Sequence, residues 1–248
     1  SAYLQDKIEF KDLVVNVALR YDYINTDNYA MIDPTVPDRS FDPYSGALRV
    51  GGLVKTAPYQ SVSPRLGLSF PVTDQTVFHT QFGQFVQQSR LRDIYQGWYL
   101  TAQNIRGGYF ITVPVGFDVR PTRTTQYEIG FTQQLGDRAS VDITGYYRDI
   151  KNQVIFEQFD TSPSSVLGSY YAFTNGDFAT TKGLEMNFIL RRTQRIQLNA
   201  SLAFQDAQGT GSFPNSNRGI VGAPLDGVTR FRPAYVAPLE YNNSVRGN

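Results

Sequence analysis

The sequence predicts an all-β protein, an antiparallel transmembrane β-barrel, and three observations carry that prediction. Stretches that alternate strictly between apolar and polar residues recur along the 248 residues, the period-2 signature of strands with two unlike faces. Short polar turns alternate with irregular segments of roughly 30 residues, the layout of an outer-membrane barrel with tight periplasmic turns and long external loops. The polar faces are built from Gln, Asn, Thr, Ser and Gly with scattered Arg, Asp and Glu. Lysine is expected to be absent between strand ends, which suits a water-lined lumen better than a face in bulk water.

The elements follow in order. A first strand ends near Phe10 and turns at Lys11-Asp12. Leu13, Val15, Val17, Leu19, Tyr21 and Tyr23 then share one face, against Asn16, Ala18, Arg20 and Asp22 on the other. Around the turn Thr73-Asp74-Gln75, Leu66, Leu68 and Phe70 and then Phe78, Thr80 and Phe82 share the apolar side. Around Gly136-Asp137-Arg138 that side carries Tyr127, Ile129 and Phe131, then Val141, Ile143, Gly145 and Tyr147. Around Arg192-Thr193-Gln194 it carries Leu184, Met186, Phe188 and Leu190, then Ile196, Leu198, Ala200, Leu202 and Phe204. The total is about eight strands. The stretches 13–24 and 195–205 approach the 9–11 residues of a tilted membrane strand. Long loops are expected at 25–60, 86–121, 150–180 and 206–234. Apolar-face aromatics fall at strand ends, where interfacial girdles belong: Phe10, Phe70, Phe78 and Phe131 at the short turns, Tyr21, Tyr23, Tyr147 and Phe204 towards the long loops.

Composition narrows the function classes. The formal charge is +1, which argues against nucleic acid as a partner. Charged residues make up 18%, below the roughly 25% of a soluble domain. With no cysteine there is no disulfide framework or thiolate chemistry. Mean hydropathy is negative, yet a barrel strand needs only every second residue apolar. A soluble antiparallel sandwich, such as a carbohydrate-binding module, shares the alternation; its strands are ordinarily about half as long.

The stretch Arg120-Pro121-Thr122-Arg123-Thr124-Thr125-Gln126-Tyr127-Glu128-Ile129-Gly130-Phe131 resembles the barrel-strand motif of TonB-dependent receptors. Leu135-Gly136-Asp137 followed by Val141–Ile150 is similar to the next strand of that family, as are Thr181-Lys182-Gly183-Leu184-Glu185 and Ser63-Pro64-Arg65-Leu66-Gly67. The order of these segments is most similar to the Oar-like branch. The resemblance implies a 22-stranded type of barrel holding a plug domain, TonB as energy-coupling partner, outer-membrane lipid around the wall, and uptake of a bulky solute through outer loops. Residues 1–248 then read as a partial barrel, without plug, TonB-contacting segment or closing strand. Siderophore, oligosaccharide, peptide and protein cargo all remain open, and a structural or adhesive barrel is the alternative.

Arg20, Asp22, Glu128, Asp142, Arg148 and Glu185 are the lumen-facing charges, expected to form structural ion pairs in the wall or to meet plug or solute. The loop 86–121 is the candidate ligand-contact segment, through Arg90, Arg92, Tyr95, Trp98, Tyr99, Arg106 and Tyr109, a mixture of rigid aromatic and cationic groups. The single histidine, His79, falls on the polar face in a hydrogen-bonding position, and no catalytic set accompanies it. Asp33, Asp38 and Asp42 could offer oxygens to Ca²⁺, but two of them precede proline and read as turn residues. Gly51-Gly52 and Gly107-Gly108 have no phosphate-loop spacing. The sequence implies no cofactor, no metal site and no enzyme chemistry.

Extracted without detergent, residues 1–248 are expected to aggregate. A soluble, monodisperse, β-rich protein in water would overturn the membrane reading and favour the sandwich.

Overall fold

The computed structural model describes residues 1–95, 115–116, 118–166, 169–192, 195–214, 216, 236–242 and 245–247. The elements are β1 (Ala2–Phe10), β2 (Leu13–Ile24), β3 (Tyr29–Met31), β4 (Leu53–Lys55), β5 (Tyr59–Thr73), β6 (Thr76–Gln87), α1 (Leu91–Tyr95), β7 (Val115–Gly116), β8 (Thr122–Leu135), β9 (Ala139–Phe159), β10 (Tyr170–Leu190), β11 (Leu198–Gly209), β12 (Ala237–Pro238) and β13 (Val245–Gly247). The long strands pair in the order β1-β2-β5-β6-β8-β9-β10-β11, each antiparallel to its neighbour. Among the described residues β1 and β11 do not meet, so the sheet is an open barrel wall. Two short strands, β12 and β13, also pair with β11.

Register turns the alternation into two continuous faces. Val17 lies opposite Leu66, Leu66 opposite Phe82, Phe82 opposite Tyr127 and Tyr127 opposite Tyr147. This face stays open: Ile129 is 58% exposed, and Val17, Leu66, Phe131 and Leu202 are exposed too. A contiguous apolar band of this size marks a surface that meets lipid or protein. Its aromatic pairs include Phe70–Phe78, Phe82–Tyr127 and Tyr127–Tyr147, with ring centroids 5.1, 5.2 and 6.3 Å apart. Charges stand at both ends of this row: Asp6, on the edge strand, shares the outward face with Leu4 and Ile8 and sits opposite Val17, and Lys182 and Asp206 follow Tyr147 on β10 and β11. The other face carries Asn16, Gly67, Gln81 and Glu128 in register. It is the concave one, because segments from distant strands close over it.

Two sequence expectations are corrected here. The segment 150–180 is not mainly a loop: β9 and β10 each run 21 residues, about 70 Å at 3.4 Å per residue. A membrane crossing takes about 9–11 residues, so half of this hairpin stands outside the bilayer. Its strands depart from strict alternation at register shifts around Asn175, Asp177 and Ala179, opposite Asn152 with its φ of 59°. The expected absence of lysine between strand ends also fails. On the polar face it fails at Lys7, in β1 opposite Asn16, while Lys151 in β9 and Lys182 in β10 lie on the outward face. Lys151 belongs to a strand portion beyond the lipid, where water solvates the ammonium. Lys182 lies opposite Tyr147, level with the outer aromatics, and pairs with Asp206; Lys7 pairs with Glu9 on the exposed edge strand.

The buried core lies above the membrane. Residues 25–58, between β2 and β5, hold the β3–β4 pair and two single 3₁₀ turns. They reach across to the β9–β10 tip, where Met31, Phe41, Tyr170 and Ala172 form a core flanked by Leu53 and Phe159. Phe41 and Ala172 are fully buried and Tyr170 is 1% exposed. Polar contacts fix the docking: Tyr170 Oη donates to the Pro34 carbonyl at 2.7 Å, Ser162 N to the Thr35 carbonyl at 2.7 Å, and Val166 N to Asp38 Oδ2 at 2.8 Å. Asp33 accepts from the Thr35 amide and hydroxyl, and Asp42 from the Tyr44 and Ser45 amides and from Arg49. These are the turn roles expected of them, and Asp42 is held well below the usual carboxylate range, chiefly by the Ser45 amide and then by Arg49. Gly52 must be glycine, since a Cβ there would lie 2.0 Å from the Arg39 carbonyl oxygen.

Phe41→Ala is expected to destabilise this cap by about 3–5 kcal/mol, read as faster proteolysis of 25–58 with the membrane strands unaffected. Burial pushes the Tyr170 phenol upward, aided by the negative charge of Asp33. The folded cap therefore favours the protonated phenol. That stability is complete below the ordinary tyrosine value of about 10 and is lost as pH rises from there through the raised folded value. Amide exchange of 25–58 should accelerate above pH ~10, and Tyr170→Phe should remove that component of the pH dependence.

Candidate functional site

The charges expected to face the lumen lie on the face opposite the apolar band and take local partners. Arg20 Nε donates to both oxygens of Asp22, at 3.0 and 2.9 Å, two residues along the same strand. Asp142 accepts from Thr132 at 2.7 Å and from Thr144 at 3.2 Å, and Thr144 also bonds the imidazole of His79 at 3.0 Å. Glu128 accepts from the Gln126 amide. Arg148 lies over the Tyr146 ring, 4.8 Å from its centroid, and Arg65 over Phe85 at 4.4 Å. Glu185 stands between Thr144 and Ala203 on the neighbouring strands. Alternation places each of these side chains inward, and hydroxyl, amide and ring partners outnumber ion pairs. On the same wall, Ser63 Oγ and the Nε atoms of Arg65 and Arg148 are buried without a hydrogen-bond partner among the described residues.

A second constellation lies higher, at the outer mouth. Of the candidate loop residues, Arg90, Arg92 and Tyr95 are described; Trp98, Tyr99, Arg106 and Tyr109 lie outside the described residues. Arg90 and Arg92 border a cavity of about 670 Å³ on the concave side, whose wall also includes Asp93, Gln153, Phe173 and Asp177. Asp93 and Asp177 are each 6% exposed. Asp93 lies 3.8 Å from Arg92 Nε, and Asp177 accepts from Thr210 at 2.9 Å. Gln153 Oε1 is buried without a hydrogen bond among the described residues.

Local structure explains why these groups meet. Ile94 anchors α1 by packing with Val119 and Phe173, and its carbonyl accepts from Asn28 Nδ2 at 2.9 Å. Tyr95 is not free to meet a solute through its hydroxyl, which donates to the Thr26 carbonyl at 2.5 Å. It is a brace between two loops, the role aromatics often take in loops. Gly116 lets the chain pass close by, since a Cβ there would lie 2.0 Å from the Asp93 carbonyl oxygen. At the bulge, the Asn175 side chain accepts from Arg120 N at 2.6 Å and donates to the carbonyls of Arg120 and Asn152 at 2.9 and 2.8 Å. Sequence reasoning missed Gln153, Phe173 and Asp177 because it read 150–180 as a loop. The signal was present in Asn175-Gly176-Asp177, a turn-type tripeptide inside a β-rich run, the mark of a bulge.

Comparison with known proteins follows from this geometry. The family model described as TonB dependent receptor-like, beta-barrel matches residues 1–244. The fold is similar to the FrpB iron transporter from Neisseria meningitidis (F5-1 variant), with TM-score 0.53 and 14% identity over 89% of this chain and 27% of that one. It is similar to the siderophore receptor PirA from Pseudomonas aeruginosa, with TM-score 0.52 and 15% identity over 84% of this chain and 32% of that one. The ferric enterobactin receptor PfeA from Pseudomonas aeruginosa gives TM-score 0.52 and 15% identity over 84% of this chain and 29% of that one. This chain thus spans about a third or less of the length of these structures. A search of curated protein sequences gives no match.

Asn175→Ala removes three hydrogen bonds to main chain and is expected to weaken the mouth locally by about 1–3 kcal/mol. Faster amide exchange at 118–121 and 152–154, with unchanged exchange in β2 and β5, would confirm the clamp.

Proposed function

Because this chain belongs to the TonB-dependent receptor-like β-barrel family, whose members are outer-membrane receptors rather than enzymes, we propose that it forms part of the barrel wall and mouth of a receptor that imports a bulky solute. In this reading residues 1–248 are a partial barrel of a longer chain. The plug domain of that chain would fill the lumen, and TonB would supply the energy through it. The order of the strand motifs, from Ser63–Gly67 through Arg120–Phe131 to Thr181–Glu185, supports the Oar-like branch.

One observation carries the proposal: the 670 Å³ cavity opens on the polar side of the wall, with Arg90 and Arg92 among the residues that line it. A transporter has to hold its solute outside the membrane and above the lumen, and this is where the wall is both concave and polar. FrpB is an iron transporter, PirA a siderophore receptor and PfeA a ferric enterobactin receptor, and a bulky polar solute for this chain is compatible with the cavity's size.

The test uses the absence of native cysteine. In the intact receptor, a membrane-impermeant thiol reagent should label Tyr44→Cys on whole cells, and should label Asp74→Cys only after the outer membrane is breached. Equal labelling of both on whole cells would overturn the orientation. With orientation established, Arg90→Gln/Arg92→Gln should lower solute affinity on cells by about tenfold or more. Unchanged uptake and affinity would remove the mouth cavity from the transport route.

A further inference from the structure

The register shifts in the β9–β10 hairpin isolate one cross-strand pair. Asn175 lies opposite Val154 and Ala179 opposite Ile150; between them, with an irregularity on either side, Asp177 lies opposite Gln153. Bulges re-aim side chains and are frequent beside functional sites. Both members of this pair line the mouth cavity. Asp177 is almost wholly buried. Glycine at 211 lets the chain pass over its carboxylate, since a Cβ there would collide with Asp177 Oδ2.

The pair sets two acceptors side by side. Gln153 Oε1 is buried without a hydrogen bond among the described residues, and a carboxylate has no proton to give it. Asp177 accepts from Thr210, and a carboxylate offers about four acceptor sites in all. An ammonium, with three N–H donors on one atom, can serve both neighbours at once.

Charge around the cavity is mixed. Arg90 and Arg92 stand against Asp93 and Asp177. Arg92 is shared with Asp93, and Arg90 has no ion pair among the described residues. A polyanionic solute would bring its charge against two nearly buried carboxylates, where a low local dielectric strengthens repulsion. A neutral sugar would fill hydrogen bonds but bring no charge to Arg90. A solute with one group of each sign matches both ends, and Phe173 and Val154 on the same lining give apolar contact to what lies between.

We propose that the solute is peptide-like and zwitterionic, its ammonium seated between Asp177 and Gln153 and its carboxylate on Arg90. This deepens, and rests on, the reading of the mouth cavity as the place where the solute is held.

The experiment uses the intact receptor in detergent, probed by native mass spectrometry. The probes are a mixture of tripeptides with free termini, the same mixture N-acetylated or C-amidated, a neutral trisaccharide and a ferric tris-catecholate. The wild type should retain the free tripeptides, and blocking either terminus should weaken retention by about tenfold or more, the worth of a hydrogen bond to a charged group. Asp177→Asn should weaken the free mixture by a similar factor and leave the N-acetylated one nearly unchanged; Arg90→Gln should do the same with respect to C-amidation. Gln153→Glu adds a carboxylate to the ammonium seat and should strengthen retention of the free mixture alone. Heat-modifiable migration reports folding, so Gln153→Glu keeps the test decisive if Asp177→Asn fails to fold. Lys55→Gln, at an ion pair in the cap, should change nothing. Equal retention of free and N-acetylated peptides, no retention of any peptide, or preference for the trisaccharide or the catecholate would each overturn the proposal. In those cases, lowered uptake of the native solute by Arg90→Gln/Arg92→Gln would keep the mouth as the transport site and remove only the peptide; unchanged uptake would remove the site as well.

Discussion

Every backbone N–H and C=O that enters hydrocarbon must find a partner within the protein, because no water is there to supply one. This constraint organises the whole wall. It requires unbroken pairing through the membrane, and the ladders from β1 to β11 run in continuous register through the membrane portions of the strands. The main shifts occur at Asn175–Ala179, above the lipid, with one further shift at Pro71–Thr73 beside a short turn. Proline is tolerated at position 71 for the same reason: it sits where the hairpin leaves the bilayer.

Once the ladders are fixed, side chains have no choice of face. An apolar outward face in lipid gains nothing from packing inward, so the membrane part of the wall contains little core. The hydrophobic effect acts where water is present, and the buried clusters around Phe41 and Ile94 accordingly form in the external cap. The long hairpin β9–β10 provides the post against which the loops fold. Its bulge re-aims the strands, and Asn175 ties that bend to the 118–121 segment. The mouth cavity results from this docking and belongs to no single loop.

Charge is sorted by depth and by face. Inward-facing Arg20 and Asp22 satisfy each other, while Asp142 is held by two threonines. Such local partners let polar groups line a lumen without opposite charges reaching across it. Outward-facing charges on β8 to β11 begin at and above the tyrosine row, where Lys151, Lys182 and Arg123 are exposed.

The strands, their faces, the girdle aromatics and the family resemblance were legible in the sequence, because alternation is a local property that membrane burial enforces residue by residue. Leu13–Tyr23 and Tyr127–Phe131 could be assigned to faces without any knowledge of their neighbours. The fate of 150–180, the brace role of Tyr95 and the lining residues Gln153, Phe173 and Asp177 were not legible. Outside the bilayer the period-2 rule relaxes, and whether a segment continues as strand or becomes loop depends on what packs against it. Tyr170 and Phe41 are 129 residues apart in sequence, and no local pattern in either segment specifies the other. The sequence by itself determined the membrane wall, through a constraint each strand meets alone. Only the tertiary structure decided the cap and its cavity, because their energy comes from contacts between distant segments closing over the concave face.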